Sequence, residues 1–343
     1  MKYIGNKTRL LDFIEQSMSQ SDVQFRGVLC DIFGGTGSVG KHFKDKGFKV
    51  ISNDIMTYSY IIQYVSVYLN IMPKFEKLQI GNVDSVIGYL NNIEPIEGYA
   101  FNNYAPSGTY GRQYFSDNNA KKIDAIREQI ETWNKAGLLS RDEYYVLLAS
   151  LIDAADFVAN ISGTYGAYLK IWRSMALKPL VLKVPEIKNN EKANEIYQED
   201  ANSLIHHVNC DVLYIDPPYN ERQYAPNFHV LESLAIWDKQ ELMGKTGQRD
   251  YCEKKSKYCQ KKSAIIAFSD LVDNARATHI VVSYNNEGII PREEIIKILK
   301  NKGKLTEYVT DYRRFRTERD SEHRQYKQCD DKVEEHLYIV NVE

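Results

Sequence analysis

Apolar and polar positions alternate along this chain in two distinct rhythms, and the switches between them mark out most of the elements. Thr8–Ser19 carries Leu10, Leu11, Phe13, Ile14 and Met18 at helical spacing. Val28-Leu29-Cys30-Asp31-Ile32-Phe33 is a short apolar run that ends in glycines, the pattern of a buried parallel strand. An amphipathic helix through Val39, His42 and Phe43 follows, Gly47 stops it, and Phe48–Ser52 reads as a second strand. Strand, glycine turn, helix and strand make a βαβ unit. A further helix is expected from about Tyr58 to Asn70.

From about Leu78 to Leu182 the β rhythm disappears. Ala120–Asn134 and Arg141–Asn160 are the clearest helices there, and Lys178–Pro185 reads as an extended exit. Strands resume at Glu195–Glu199, Asp211–Ile215 and His279–Ser283, with helices near Phe228–Trp237 and Ser263–Ala275. Helix Pro291–Lys300, strand Lys304–Thr310 and strand Glu335–Val342 complete the pattern. Strands and helices thus alternate on both sides of one helical block. This predicts a doubly wound α/β domain formed by 1–57 and 195–343, with a second, mainly helical lobe at 58–194 inserted into it.

Composition narrows this picture only in places. The 343 residues suffice for one large core with an appended lobe, or for two domains. The formal net charge is −2, so the chain as a whole is no basic nucleic-acid binder, and any such contact must come from local patches. Tyr outnumbers the other aromatics, with 25 Tyr against 12 Phe and 3 Trp; most suit an ordinary core or surface, and some suit base stacking. Cys30, Cys210, Cys252, Cys259 and Cys329 are scattered without zinc-ligand spacing, which predicts reduced thiols, a cytosolic protein and no metal. No apolar run has the length of a membrane span, and none follows Lys2, Lys7 and Arg9 as a signal core would.

Two motifs carry chemistry. Gly35-Thr36-Gly37-Ser38-Val39-Gly40 is a GxGxxG between a strand and a helix, and Asp54 closes the second strand about twenty residues further on. Glycines let the backbone approach a ligand, and a carboxylate at a strand end binds the ribose of any adenosine-type cofactor. The motif therefore points to an adenosine cofactor, S-adenosylmethionine or a dinucleotide, over a tight turn without a ligand. Asp216-Pro217-Pro218-Tyr219 follows the apolar strand Val212–Ile215, at a carboxyl end of the sheet. Two prolines fix the turn and remove two amide donors while their carbonyls still accept. An exocyclic adenine amino group is a poor nucleophile because its lone pair is delocalised into the ring. Asp216 and the Pro217 carbonyl offer two acceptors for its hydrogens, and Tyr219 can stack on a base drawn out of a duplex.

With these motifs together, the chain resembles the DNA adenine-N6 methyltransferases of the Dam-like (alpha) group, including those of type II restriction–modification systems, over nearly its whole length. Lys2-Tyr3-Ile4-Gly5-Asn6-Lys7 is similar to that group's N-terminal cofactor motif, Asp31–Ser38 to its glycine motif, Asn53-Asp54 to its ribose acid, Glu199-Asp200-Ala201 to the acid that meets the cofactor adenine, and Asp216–Tyr219 to its catalytic turn. Asn220–Tyr224 and Ser283–Asn286 also look like segments of these enzymes. The resemblance implies a Rossmann-like S-adenosylmethionine-dependent fold whose inserted lobe recognises the target. It implies Tyr3, Lys7, Asp31, Phe33, Gly35, Thr36, Gly37, Ser38, Asp54, Asp200 and Asp216 at the cofactor, and Asp216, Pro217, Pro218 and Tyr219 in catalysis. The expected partners are double-stranded DNA and a cognate restriction endonuclease.

Other signals are weaker. Lys7 is as well read as a solvated residue at a helix start, and Phe33 as a core residue. Arg222 and Gln223 come close enough after Tyr219 to reach a flipped base, whereas His229 is expected to have no proton role. Within the inserted lobe, Asn102, Asn103, Tyr104, Tyr110, Arg112, Gln113 and Tyr114, and the glycine-rich Asn160–Gly166, are candidates for reading base edges; the competing reading is a buttress for the core. The cluster Arg313, Arg314, Arg316, Arg319 and Arg324, interleaved with Tyr312, Phe315 and Tyr326, suits phosphates; Lys254–Lys262 carries a second basic run open to either reading. N4-cytosine or RNA methylation, a catalytically silent DNA-binding subunit and an NAD oxidoreductase are the alternatives. The last leaves Asp216–Tyr219 and the helical block unexplained.

Overall fold

A computed structural model describes residues 7–313 and 332–343. Seven strands form one sheet: β1 (Val28–Asp31), β2 (Lys49–Asn53), β3 (Glu195–Tyr197), β4 (Cys210–Ile215), β5 (Ala277–Asn285), β6 (Gly303–Arg313) and β7 (Lys332–Val342). Their order is β3-β2-β1-β4-β5-β7-β6. The first five run parallel, and β7 lies antiparallel between β5 and β6. This is the α/β architecture read from the sequence. Leu29, Cys30, Leu213 and Ile215 are fully buried, as central parallel strands covered by helices on both faces must be. Strand order reverses at the β1–β4 junction, where Asp31 stands beside Tyr214 in register. An open α/β sheet holds its ligand at the carboxyl ends of the strands flanking such a switch point.

The chain divides into two compact units. Of the described residues, the sheet unit holds 7–55, 192–224, 255–313 and 332–343. The other unit combines Met56–Glu191 with Ala225–Lys254, so residues 225–254, assigned by their sequence pattern to the catalytic part, pack with the inserted block instead. The physical reason lies in helix His229–Ile236. Its terminal carbonyls at Leu234 and Ala235 accept from the fully buried Arg127 guanidinium (2.8 and 3.3 Å), and its buried Glu232 accepts from the amides of Thr57 and Tyr58 (3.0 and 3.1 Å). These contacts satisfy one helix's last carbonyls and another's first amides.

The second unit is mainly helical. Helices Asp117–Lys135 and Arg141–Phe157 start at Ser116 and Ser140, the latter in a reciprocal capping box with Glu143. The expected helix from Tyr58 to Asn70 is α-helical over Thr57–Gln63 and widens to a π-helical turn at Tyr64–Tyr68. Val83–Asn92 and Tyr99–Tyr104 are additional helices. The second is too short to show a period, and its start is fixed by Asp124, which accepts from the amides of Gly98, Ala100 and Phe101 (2.7–3.0 Å). Among the described residues, no helix is long and apolar enough to cross a membrane.

Candidate active site

The carboxyl ends of β1, β2, β3 and β4 bring most of the sequence candidates together. Gly35 and Gly37 take φ of +53° and +75°, a left-handed backbone that a side chain would strain. The loop is pinned by Gly34 N–H to the Asn53 carbonyl (2.8 Å) and by Gly35 N–H to Asp54 Oδ2 (2.9 Å). Asn53, itself buried, donates to the Ile32 and Glu199 carbonyls (both 3.1 Å) and accepts from Glu199 N–H (2.9 Å), tying three strand ends into one floor. Asp200 caps the turn at Ala201–Leu204 and remains exposed. Phe33 is half-buried with its ring edge-on to Tyr258 (5.0 Å), and the Thr36 and Ser38 hydroxyls lie 3.3 Å apart.

Asp31 is the most unusual group in this floor. It is buried, and neither carboxylate oxygen makes a well-formed hydrogen bond among the described residues, although the Gly40 and Phe33 amides favour its charge. Burial first, and then the Asp216 carboxylate, push it up to about 8. A buried acid without a partner is costly. Such a group fits a cationic ligand, and the ammonium of an amino-acid-bearing cofactor meets that description.

Asp216-Pro217-Pro218-Tyr219 leaves the end of β4 with no cis peptide. Lys7 Nζ lies 3.2 Å from Asp216 Oδ1, 2.7 Å from Glu335 Oε1 and 5.9 Å from the centre of the Tyr219 ring. Glu335 also accepts from Ser283 Oγ (2.7 Å). Burial, the Lys7 ammonium and the Glu335 carboxylate act on Asp216 in that order, and the balance holds it at about 7. Lys7 is pushed above the ordinary lysine value: burial opposes its charge, and Asp216 and Glu335 together outweigh burial. The half-buried Tyr219 ring sits edge-on to Tyr284 (6.5 Å), and its carbonyl accepts from Ile289 N–H (2.9 Å).

Glu335 has no role in the sequence reading, where Ser283 enters only within Ser283–Asn286 and Tyr258 only within the Lys254–Lys262 run. Glu335 lies on one face of β7 with the buried Val333, Leu337 and Ile339, and an acid in such a row needs a partner. That signal is present in the sequence, but the partner, 328 residues away, is not.

The candidates for DNA contact are placed differently. Arg222 is exposed. Gln223 spans the Ser256 backbone, donating to its carbonyl (3.0 Å) and accepting from its amide (2.7 Å). Arg112 is buried, donating to the carbonyls of Asn103, Lys245 and Gly244 (3.0–3.2 Å), with its guanidinium over the Tyr110 ring. Gln113 donates to the Lys170 carbonyl (3.2 Å). The segments around Arg112 and Asn160 do come together: Asn160 donates to the Gln113 and Leu169 carbonyls (3.2 and 2.9 Å) and accepts from Arg173 N–H (3.0 Å). Tyr3, Arg314 and Arg316 lie outside the described residues, as does the Arg313 side chain. His229 is buried, donates to the Tyr165 carbonyl (2.9 Å) and is pushed down to about 4 by burial. Among the described residues no cluster of His, Cys, Asp and Glu could hold a metal ion.

A glycine loop, an unpaired acid and an acid-Pro-Pro-Tyr turn around one switch point define a class of enzyme: a transferase that holds an adenosine-type cofactor against an amino group. Residues 3–298 match the family of D12 class N6 adenine-specific DNA methyltransferases. The chain belongs to this family, with its Rossmann-like fold and a methyl donor of the S-adenosylmethionine type. It is 43% identical to Type II methyltransferase M.FokI of Planomicrobium okeanokoites over 99% of this chain and 52% of that protein. Type II methyltransferase M.NlaIII of Neisseria lactamica is 40% identical over 95% of this chain and 96% of its own length. Type II methyltransferase M.CviAII of Paramecium bursaria Chlorella virus 1 is 34% identical over 99% and 98%. The chain therefore spans about half of M.FokI and nearly all of the other two.

Proposed function

We propose that this chain is a site-specific modification enzyme that methylates N6 of adenine in double-stranded DNA, using S-adenosylmethionine. The observation that carries the reading is Asp216 at the end of β4, held by Lys7 and carrying a basicity near neutrality. The residues of the floor fit the cofactor: Asp31 would take the ammonium of its amino-acid end, Asp54 its ribose and Asp200 its adenine side, with Phe33 lining the pocket. The bound cofactor supplies an electrophilic methyl group on a sulfonium.

The chain's own residues do the remaining work. Tyr219 stacks on an adenine flipped out of the duplex. Asp216 and the Pro217 carbonyl accept the two N6 hydrogens, which moves the nitrogen toward a tetrahedral geometry and frees its lone pair. Asp216 is also the nearest base for the proton that N6 sheds. Rigid placement and local electrostatics account for the rate, because the paired prolines fix both acceptors in one turn. The unit formed by 56–191 and 225–254 reads the flanking sequence. Its exposed groups near the Asn160 junction, Tyr110, Lys170 and Ile171, face solvent and suit base and phosphate contacts, whereas Arg112 and Gln113 brace that surface. Arg222 and the basic run that begins at Arg313 contact phosphates. A cognate endonuclease for the same site completes the system.

Two measurements test this. Calorimetry is expected to find binding of S-adenosylhomocysteine and none of NAD. Asp216→Ala is expected to abolish methylation of duplex DNA while keeping that binding, because an acceptor used only in the transition state affects turnover rather than affinity. Near-normal turnover in Asp216→Ala overturns the assignment.

A further inference from the structure

The catalytic turn requires Asp216 to accept a hydrogen from a neutral amino group, yet the structure sets an ammonium beside it. A cation 3.2 Å from a carboxylate draws its charge away and makes it a poorer acceptor. The geometry points to Glu335 as the residue that resolves this conflict. We infer that Glu335 is a positioning residue: it takes the Lys7 ammonium as its own counter-ion, so that Lys7 orients Asp216 through Oδ1 while Oδ2 stays available to the target amino group. The inference rests on the adenine-methylating reading of the site.

Three observations support it. The ammonium lies 2.7 Å from Glu335 and 3.2 Å from Asp216, so Glu335 shares its charge with Asp216. Both carboxylates and the lysine are largely buried, where such pairings are only weakly screened by solvent. Glu335 is itself fixed from a second side by Ser283 Oγ (2.7 Å), and its backbone is paired in register with Asn285. It cannot follow Lys7 toward Asp216 without breaking that hydrogen bond. The titratable groups around Asp216 are Lys7 and Glu335, Tyr214 from β4, Tyr219 from the turn and Asp31 from β1. Of these, Lys7 and Glu335 dominate after burial, with opposite signs. Removing the Glu335 charge leaves the ammonium to Asp216 alone, which lowers the basicity of Asp216 and pulls it toward Lys7.

The test uses the full chain with Glu335→Gln. Gln keeps the length of the side chain and a carbonyl to accept from Lys7 and Ser283, but not the charge. The turnover of duplex DNA is expected to fall by about ten- to a hundredfold, the range typical of groups that orient a functional residue. The acid limb of the kcat–pH profile is expected to move to lower pH. KM for DNA, calorimetric affinity for S-adenosylhomocysteine and melting temperature are expected to stay near wild type. Glu335→Asp should recover part of the turnover, and Ser283→Ala should show a smaller shift in the same direction. These two variants decide the matter if Glu335→Gln does not fold. Unchanged turnover and profile, or a drop in melting temperature with the profile unmoved, overturns the role given to Glu335. A wild-type protein that binds S-adenosylhomocysteine but methylates no adenine overturns the reading beneath it as well.

Discussion

Asp31 and Asp216 each contribute a pH dependence to the stability of the sheet unit. Asp31 is held at about 8 and Asp216 at about 7, burial being the first cause in each. Both ionise near the ordinary carboxylate value when unfolded, so between that value and the raised ones the folded state binds more protons than the unfolded state. The contribution of these two groups to stability therefore falls as pH rises from about 4 to about 8 and is constant above that window, the reverse of a salt-bridged carboxylate. Lys7 titrates above this window and does not contribute to the slope. Asp31→Asn should flatten the slope and raise the melting temperature at pH 8, and it should weaken binding of S-adenosylhomocysteine; thermal melts at pH 5 and 8 with calorimetry check both. A cationic ligand pairing with Asp31 lowers its pKa, so cofactor binding at pH 7 should release a proton. Calorimetry in buffers of different ionisation enthalpy would show that as a buffer-dependent heat. Asp31 and Asp216 are candidates in the sequence because each sits at the end of a recognisable strand beside a glycine or proline turn, and Asp54 because it closes the strand that follows the glycine loop. Glu335 is not, because its partner comes from the other end of the sheet unit's chain.

At the level of elements, the strongly periodic segments were read with their type and approximate bounds, and all seven strands fall where alternation or an apolar run placed them. The helical block was read less fully, since helices such as Tyr99–Tyr104 are held by capping from distant side chains and not by their own period. Arg112 illustrates the same limit at an element junction. Its local sequence, polar and aromatic, suggests a base-reading loop, but its guanidinium closes three carbonyls from two separated segments. Arg112→Ala leaves those carbonyls unpaired and should cost about 1–3 kcal/mol of stability, read as a lower melting temperature with unchanged site choice. Relaxed site choice at an unchanged melting temperature would make Arg112 a reader of DNA instead. Gln223 follows the same logic, since both ends of its amide are spent on Ser256.

Across the whole molecule, one unit carries the glycine loop and the acid-Pro-Pro-Tyr turn, and the other is assembled from two stretches of chain, 56–191 and 225–254, that interrupt it. With a net charge of −2, DNA binding has to come from local basic groups, and its affinity should drop steeply with added salt. The order of the sheet also has a consequence in time. β6 pairs with β7 and with no other described strand, and β7 brings Glu335 to Lys7. On the ribosome, residue 335 is joined 328 residues after residue 7, a wait of roughly 15–65 s at about 5–20 residues per second. Through that interval Lys7 lacks its second carboxylate, and β6, once made, has no neighbour until β7 follows; by then the glycine loop, β1, β2 and β4 are already complete. Released chains truncated before residue 332 should therefore expose Gly303–Arg313 to protease, and chains that include β7 should protect it. Glu335 therefore reaches Lys7 only after the glycine loop, β1, β2 and β4 have all been made.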